Sequence, residues 1–239
     1  MLYPMALWEM VMPGEPCFSC RAPSVYSQQY SGKHLCERHL AEDIVIRVKR
    51  TIRLQGGLGK KSVIAVIHDG PGFIPLLHIL GSVVSSRPGM KMMILEPDSE
   101  DSLYNHDFSF LPSSIQTRVE RGMPESFMEI AIRGEADRII RSATLDEEAS
   151  QVLGSLLSGD SSFFMKSTDT ASVICLTPLC EIPMAELAIY SRYTNLPFDE
   201  AGLPESGNVR GFLTALSNNH PSVPFSLLKY RDRLRDLGQ

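Results

Sequence analysis

The chain has no run approaching the roughly 18 consecutive apolar residues that a membrane-spanning helix needs. Its apolar opening, residues 1–12, is interrupted by Pro4 and Glu9 with no basic segment ahead of it. Neither a membrane association nor a secretory signal is therefore expected, and a cytoplasmic protein is the default. An even set of cysteines is also missing: the five divide into Cys17, Cys20 and Cys36 near one end and Cys175 and Cys180 far away. That is a poor disulfide framework and a better metal arrangement. Positive charge is not in excess, since the net charge is -5 and the pI is near 5.7, which excludes a uniformly cationic packager of nucleic acid. No internal repeat and no low-complexity tract is present. With 43% hydrophobic and 21% charged residues and a mean hydropathy of -0.04, the chain is too apolar for a disordered tail. Its 239 residues suit one large domain or one domain with a small appendage.

Charge is unevenly spread. Residues 1–61 carry nine Lys/Arg against five Asp/Glu, a net of +4 that leaves -9 for residues 62–239. Arg47, Lys49, Arg50, Arg53, Lys60 and Lys61 lie in a stretch, Ile44 to Lys61, that has no acidic residue. They make either a solvated helix face or a surface for nucleic-acid phosphates, whose contribution would fall steeply with salt. Cys36 to about Leu54 reads as an amphipathic helix, because Leu40, Ile44, Val48 and Ile52 recur at four-residue spacing, and Gly56, Gly57 and Gly59 stop it. Ser62–Ile67 is rich in β-branched residues without alternation, the pattern of a central strand buried on both faces of a parallel sheet. A turn, His68-Asp69-Gly70-Pro71-Gly72, leads into a helix over Phe73–Ser85.

The rhythm then repeats. Strands are expected at Lys91–Leu95, Ala136–Ser142 and Ala171–Leu176, and helices at Ser126–Gly134, Asp146–Leu157 and Met184–Thr194, the last started after Pro183. Strands alternating with helices predict an α/β fold, a doubly wound and mostly parallel sheet. The expected division is an N-terminal knuckle over residues 1–42, a basic linker helix over 43–61 and the α/β domain over 62–239.

Four patterns could carry chemistry. Cys17-Phe18-Ser19-Cys20 is followed after fifteen residues by Cys36-Glu37-Arg38-His39, which places four soft or borderline donors at the spacing of a tetrahedral zinc site. Four protein ligands leave no open position, so such a site is structural. The other reading is free thiols beside a surface histidine, and His34 is a second candidate ligand with a less favourable spacing. The turn at 68–72 stands where α/β proteins bind phosphates through the N–H groups of a helix start. Gly70 and Gly72 permit close approach, but Pro71 offers no N–H, Asp69 adds negative charge and Phe73 fills the first helical turn, so a plain connection competes with a phosphate cradle. In Thr144–Ala149 the carboxylates suit the start of a helix, with Thr144 or Asp146 as cap; alternatively Asp146 or Glu147 holds a metal or acts as a base at the sheet edge. Cys175 and Cys180 are either ordinary buried cysteines or a sulfur-handling nucleophile, for which no base is near in sequence.

Taken in order, these pieces resemble the PP-loop ATP-pyrophosphatase superfamily, and within it the tRNA 2-thiolation group of two-thiouridine synthetases and cytosolic thiouridylase subunits. Cys17, Cys20, Cys36 and His39 match the group's N-terminal zinc knuckle in type and spacing. Leu145-Asp-Glu-Glu-Ala149 and Leu157-Ser-Gly-Asp160 echo its Leu-Asp-Asp-Glu-Ala helix and the Arg-Gly-Asp near that helix's end. Thr177–Pro183, Glu186 and Tyr190 look like its Arg-Pro-Leu-x-x-Ile/Leu-Pro-x-x-Glu-x-x-x-Tyr, and Asn195–Phe198 like the segment after it. The resemblance spans residues 14–235 and implies an adenine nucleotide alpha hydrolase-like fold, with the phosphate loop after the first strand of the α/β domain.

The departures carry as much information. His68-Asp69-Gly70-Pro71-Gly72-Phe73 stands where the group has Ser-Gly-Gly-x-Asp-Ser, so only Gly70 survives. Residues 91–145 hold no cysteine, although the group places a Cys-x2-Cys there for iron–sulfur or persulfide chemistry. Ala143-Thr144 replaces a His-Asn, and the usual C-terminal second zinc finger is missing. The resemblance therefore implies a non-catalytic member, with a structural zinc and no iron–sulfur cluster. The altered loop puts ATP and magnesium binding in doubt. Such a chain would serve in wobble-uridine 2-thiolation as partner or scaffold of a catalytic PP-loop paralogue, or as a dimer with itself, with tRNA on the basic stretch. Two alternatives stay open: an active ATP-dependent enzyme using Gly70 and Gly72 for phosphate, Asp146 or Glu147 for magnesium and Cys175 or Cys180 for sulfur, and a nucleotide- or RNA-binding module outside thiolation.

Overall fold

A computed structural model describes residues 15–59, 63–87, 89–98, 108–160, 173–198 and 207–237. Lys60, Lys61 and the expected strand residues Ala171 and Ser172 lie outside them. The chain enters through a short antiparallel hairpin, β1 (Tyr26–Gln28) and β2 (Lys33–Leu35), and continues into α1 (Glu37–Leu54). The four-residue repeat does what it predicts, since Leu40, Ile44, Val48 and Ile52 are all buried on one face of α1. Glu37 in the first turn and Arg53 in the last complement the helix dipole. Gly56 and Gly57 then take φ of 104° and 70°, the left-handed region in which glycine carries no Cβ penalty, and the helix ends.

The body is built from β3 (Val63–Ile67), α2 (Phe73–Val84), β4 (Lys91–Pro97), β5 (Gln116–Gly122), α3 (Phe127–Arg133), β6 (Ala136–Ile140), α4 (Leu145–Ser158), β7 (Ile174–Leu176), α5 (Met184–Tyr193), α6 (Gly207–Asn219) and α7 (Val223–Leu237). The five strands β5-β4-β3-β6-β7 form one wholly parallel sheet in that order. β3 lies in the centre, and Ile64, Ala65 and Val66 have no exposed surface, as the unalternating run requires. Its side chains divide between two cores. Ile64 and Val66 pack with α1 and α2 residues, whereas Ala65 joins Met93, Leu95, Phe127 and Ile130 on the other face. The chain steps outward from β3 to β4 and β5, then returns to the far side of β3 for β6 and β7. That reversal opens a crevice between the carboxyl ends of β3 and β6, where open α/β sheets bind ligands.

The observed elements differ from the expected ones in two places. β5 was not anticipated, because Gln116–Gly122 is a polar edge strand with only partial burial and so lacks the apolar run of a central strand. α6 and α7 were not anticipated either; α7 packs on α4 through the small cluster of Leu145, Val152, Cys180 and Leu228. α1 runs unbroken across residues 42 and 43, where the expected knuckle meets the expected linker helix of 43–61, and Cys17 and Leu35 share a hydrophobic cluster with the sheet residues Ile64 and Val66. No helix among the described residues is long and apolar enough to cross a membrane.

Two buried ion pairs tie helices together. Arg231 of α7 donates to Glu148 of α4, with side chains 7% and 6% exposed. Glu186 of α5, fully buried, accepts from Arg47 of α1 and, on its other oxygen, from Tyr30 Oη at 2.5 Å and Gln28 Nε2 at 3.2 Å. Removing one member of a desolvated pair leaves the other charge without compensation. Arg231→Ala is expected to lower unfolding free energy by about 3–5 kcal/mol in urea denaturation, while substitution of the exposed neighbour Arg233 changes it by less than about 0.5 kcal/mol.

Candidate functional site

The first constellation is at the knuckle. Cys17 and Cys20 sit on a tight turn closed by Arg21 N–H donating to Cys17 O at 2.9 Å, Cys36 is the N-cap of α1, and His39 stands within its first turn. Their donor atoms lie within 4.8 Å of one another, with Cys17 Sγ–His39 Nδ1 at 3.4 Å, Cys36 Sγ–His39 Nδ1 at 3.3 Å and Cys20 Sγ–Cys36 Sγ at 3.8 Å. Sulfurs around one tetrahedral ion at about 2.3 Å stand roughly 3.8 Å apart, so the set fits a single metal ion. His34, the alternative ligand, lies in β2 and is not among the four.

The Cys17 thiol is prepared for this role. Burial pushes it up, but hydrogen bonds from the backbone N–H groups of residues 36, 20 and 19 and from His39 outweigh that and bring it down to about 6. Burial raises the Cys36 thiol. Cys36→Ser is expected to abolish stoichiometric metal binding. In thermal melts a chelator should lower the midpoint of the native chain and leave that of Cys36→Ser unmoved.

The second constellation lies at the carboxyl ends of β3 and β6, where the turn after β3 meets the exit of β6. Asp69, in the turn after β3, accepts from Arg141 Nε and from Ser142 N–H, both at 2.8 Å, and from the Ser142 hydroxyl. A Cβ on Gly70 would come within 2.7 Å of Glu147 Oε1, and one on Gly72 within 2.5 Å of Ser142 O and 2.9 Å of a Leu179 methyl. The turn is thus pressed against the exit of β6. His68 stacks on Phe73, centroids 4.1 Å apart, and Phe73 is fully buried at the head of α2. Gly72→Ala forces its methyl into a backbone carbonyl and is expected to cost about 1–3 kcal/mol in urea denaturation.

The carboxylates that open α4 are likewise engaged. Thr144 and Glu147 form a reciprocal capping box, Glu147 Oε2 accepting from Thr144 N–H at 2.7 Å and from its hydroxyl at 2.8 Å. Asp146 Oδ2 accepts Met184 N–H at 2.7 Å and so caps α5. Burial raises both carboxyls. Burial pushes the Cys180 thiol up to about 12, and desolvation by the surrounding chain also raises Cys175.

The basic stretch divides in two. Arg47 was grouped with the phosphate-binding candidates, but it is turned inward, 13% exposed, and bound to Asp43 and Glu186. Lys49, Arg50 and Arg53 are exposed on the outer face of α1, with Arg50 paired to Glu181 at 2.6 Å. Sequence reasoning missed Asp69 as an acceptor and Arg141 and Ser142 as its donors. The available signal was a basic and a hydroxyl residue at the exit of a predicted strand.

No protein-family model matches the chain. The tRNA 2-thiolation protein NcsA of Haloferax volcanii is 22% identical over 279 residues, covering 92% of this chain and 87% of its own. Among solved structures, the U34-tRNA thiolase NcsA from Methanococcus maripaludis, determined with its four-iron–four-sulfur cluster, superposes with a TM-score of 0.79 at 18% identity. That match covers 94% of this chain and 89% of the other. The chain is thus similar in sequence to NcsA and shares its fold, an adenine nucleotide hydrolase-like α/β fold, with four residues at its N-terminal end, Cys17, Cys20, Cys36 and His39, that could hold a metal ion.

Proposed function

We propose that this relative of NcsA, built on the PP-loop ATP-pyrophosphatase fold, acts in tRNA wobble-uridine 2-thiolation as a non-catalytic partner or scaffold of an active paralogue. The observation that carries the reading is that the acidic side chains around the turn after β3 are already bound to donors of the chain itself. Where the fold would receive a phosphate, Asp69 already takes three hydrogen bonds and Glu147 leans over Gly70. Two carboxylates at that position repel a polyphosphate. Asp146 and Glu147, the residues that could have held magnesium, are spent on backbone donors of Met184 and Thr144. The M. maripaludis NcsA carries an iron–sulfur cluster, whereas residues 91–145 of this chain supply no cysteine for one. The raised thiols of Cys175 and Cys180 support no sulfur-transferring role for either.

In this reading Cys17, Cys20, Cys36 and His39 hold a structural zinc that fixes the knuckle. Lys49, Arg50 and Arg53 supply the cationic face for tRNA phosphates, with Lys60 and Lys61 further along the sequence adding to the positive charge of this stretch, and the protein works in the cytoplasm. Calorimetry of the isolated chain with ATP and magnesium is expected to give no binding. Purification from the source cell should recover tRNA and a PP-loop paralogue, with about one equivalent of zinc and no iron. Micromolar ATP affinity, or tRNA recovered without a PP-loop partner, would defeat the proposal.

A further inference from the structure

We propose that the outer edge of β5 pairs with the same strand of a second copy of this chain, antiparallel and centred on Val119, so that the two sheets join into one. The contact lies at the sheet edge, away from the crevice between β3 and β6, and does not depend on any part in thiolation.

The sheet ends on β5, whose only strand partner among the described residues is β4. That pairing runs without a register shift over all seven residues of β5, from Lys91 and Gln116 to Pro97 and Gly122. Alternate residues of β5 therefore turn their N–H and C=O groups away from β4, in a row ready to template another strand. The strand holds no proline and no bulge, two devices that blunt such an edge, whereas β7 at the other edge is three residues long. Charged side chains are a third device, and here they are arranged to suit a copy of the same strand. Two copies joined by antiparallel edges are related by a two-fold axis perpendicular to the sheet. Such an axis keeps every side chain on its own face, so one residue of β5 must stand opposite its own copy. With Val119 in that place, Arg118 stands opposite Glu120 of the second copy and Glu120 opposite its Arg118. A shift of one residue to either side sets Arg118 against Arg118 or Glu120 against Glu120. Opposite charges directly across an antiparallel pair stabilise it and like charges destabilise it, so the sequence of β5 selects one register.

Both charged side chains are available for this. Arg118 and Glu120 are 50% and 42% exposed, and their own contact along the strand is a loose one of 4.0 Å. Arg118 spends Nη2 on Gly134 O at 3.0 Å and keeps further donors. Apolar surface lies along the same rim, where Val119, Met123, Met128 and Ile132 are between 43% and 56% exposed. α3 sits on the face of β5 that carries Arg118, since Gly122 lies against Ile130 and Arg118 reaches Gly134 just past the helix end. The axis brings the α3 helices of both copies to one side of the joined sheet, and Met128 and Ile132 add apolar area to the backbone pairing there.

The test is sedimentation velocity and light scattering of the full-length chain over a range of concentrations. The native chain should form a dimer that dissociates on dilution, and more readily at high salt because the ion pairs are exposed. Arg118→Glu or Glu120→Arg sets like charges against each other on both sides of the axis and should weaken the dimer at least about tenfold. The double reversal Arg118→Glu/Glu120→Arg restores both pairs and should recover it. An equimolar mixture of the two single variants should also dimerise, because each supplies the charges the other lacks. Mixing does not rescue a chain that has failed to fold, and Glu120→Arg leaves the bond from Arg118 to Gly134 in place, so a folding defect is told apart from a lost contact. A native chain that stays monomeric at every concentration, a dimer indifferent to both single reversals, or a mixture that does not associate overturns the proposal. So does a monomer that pairs along β5 only with a different protein.

Discussion

The buried carboxylate of Glu186 is the constraint around which this molecule is arranged. A charge with no exposed surface would be strongly unfavourable alone, and α5 carries it only because three donors from elsewhere in the chain reach it. Tyr30 and Gln28 come from the hairpin of the metal knuckle, and Arg47 comes from α1, where Asp43 also holds it. One side chain of the α/β body thereby fixes the angle of the first helix and the seat of the hairpin. The metal ligands are set into the same piece, since Cys36 caps α1, His39 lies in it, and Cys17 packs in the sheet's own hydrophobic cluster. Ordering of the hairpin and burial of Glu186 are thus two ends of one lever: the hairpin supplies donors, and the donors justify the buried charge.

The same economy of acidic groups recurs at the crevice. Asp69, Asp146, Glu147 and Glu148 each accept from donors inside the protein, respectively around Ser142, at Met184, at Thr144 and at Arg231. The acidic surplus of residues 62–239 is in part structural charge, turned inward to cap helices and pair with arginines. A sheet of this topology supplies a ligand crevice whatever the sequence. Whether a ligand enters depends on what the two loops at its mouth place there, which is why likeness of fold to NcsA does not by itself carry likeness of chemistry.

Much of this was legible in the residues, for physical reasons that differ by element. The helix over 37–54 and the central strands follow from periodicity, which reports burial on one face or on two. The metal set follows from paired spacing, because two-residue gaps in Cys17–Cys20 and Cys36–His39 bring donors to the same point whatever the intervening chain does. β5 was not legible, since an edge strand such as Gln116–Gly122 needs no apolar run and takes its identity from pairing with β4. Arg47 could not be told from Lys49 or Arg50 as a charge in a basic stretch. Only its position on the inward side of α1, facing a carboxylate 139 residues away, separates it from them.

The sequence by itself determined the class of fold and the set of four residues, Cys17, Cys20, Cys36 and His39, that could hold a metal ion, because each is a local pattern of residue types. Tertiary structure alone decided what the turn at 68–72 meets. A turn reading His-Asp-Gly-Pro-Gly does not name the partners of its aspartate. Asp69 is engaged because β6 lies beside β3 in a parallel sheet and delivers Ser142 and Arg141 to it from 73 and 72 residues away. Hydrogen bonds between residues so far apart are a product of strand order, and strand order is written in the packing of the whole sheet rather than in any segment of it.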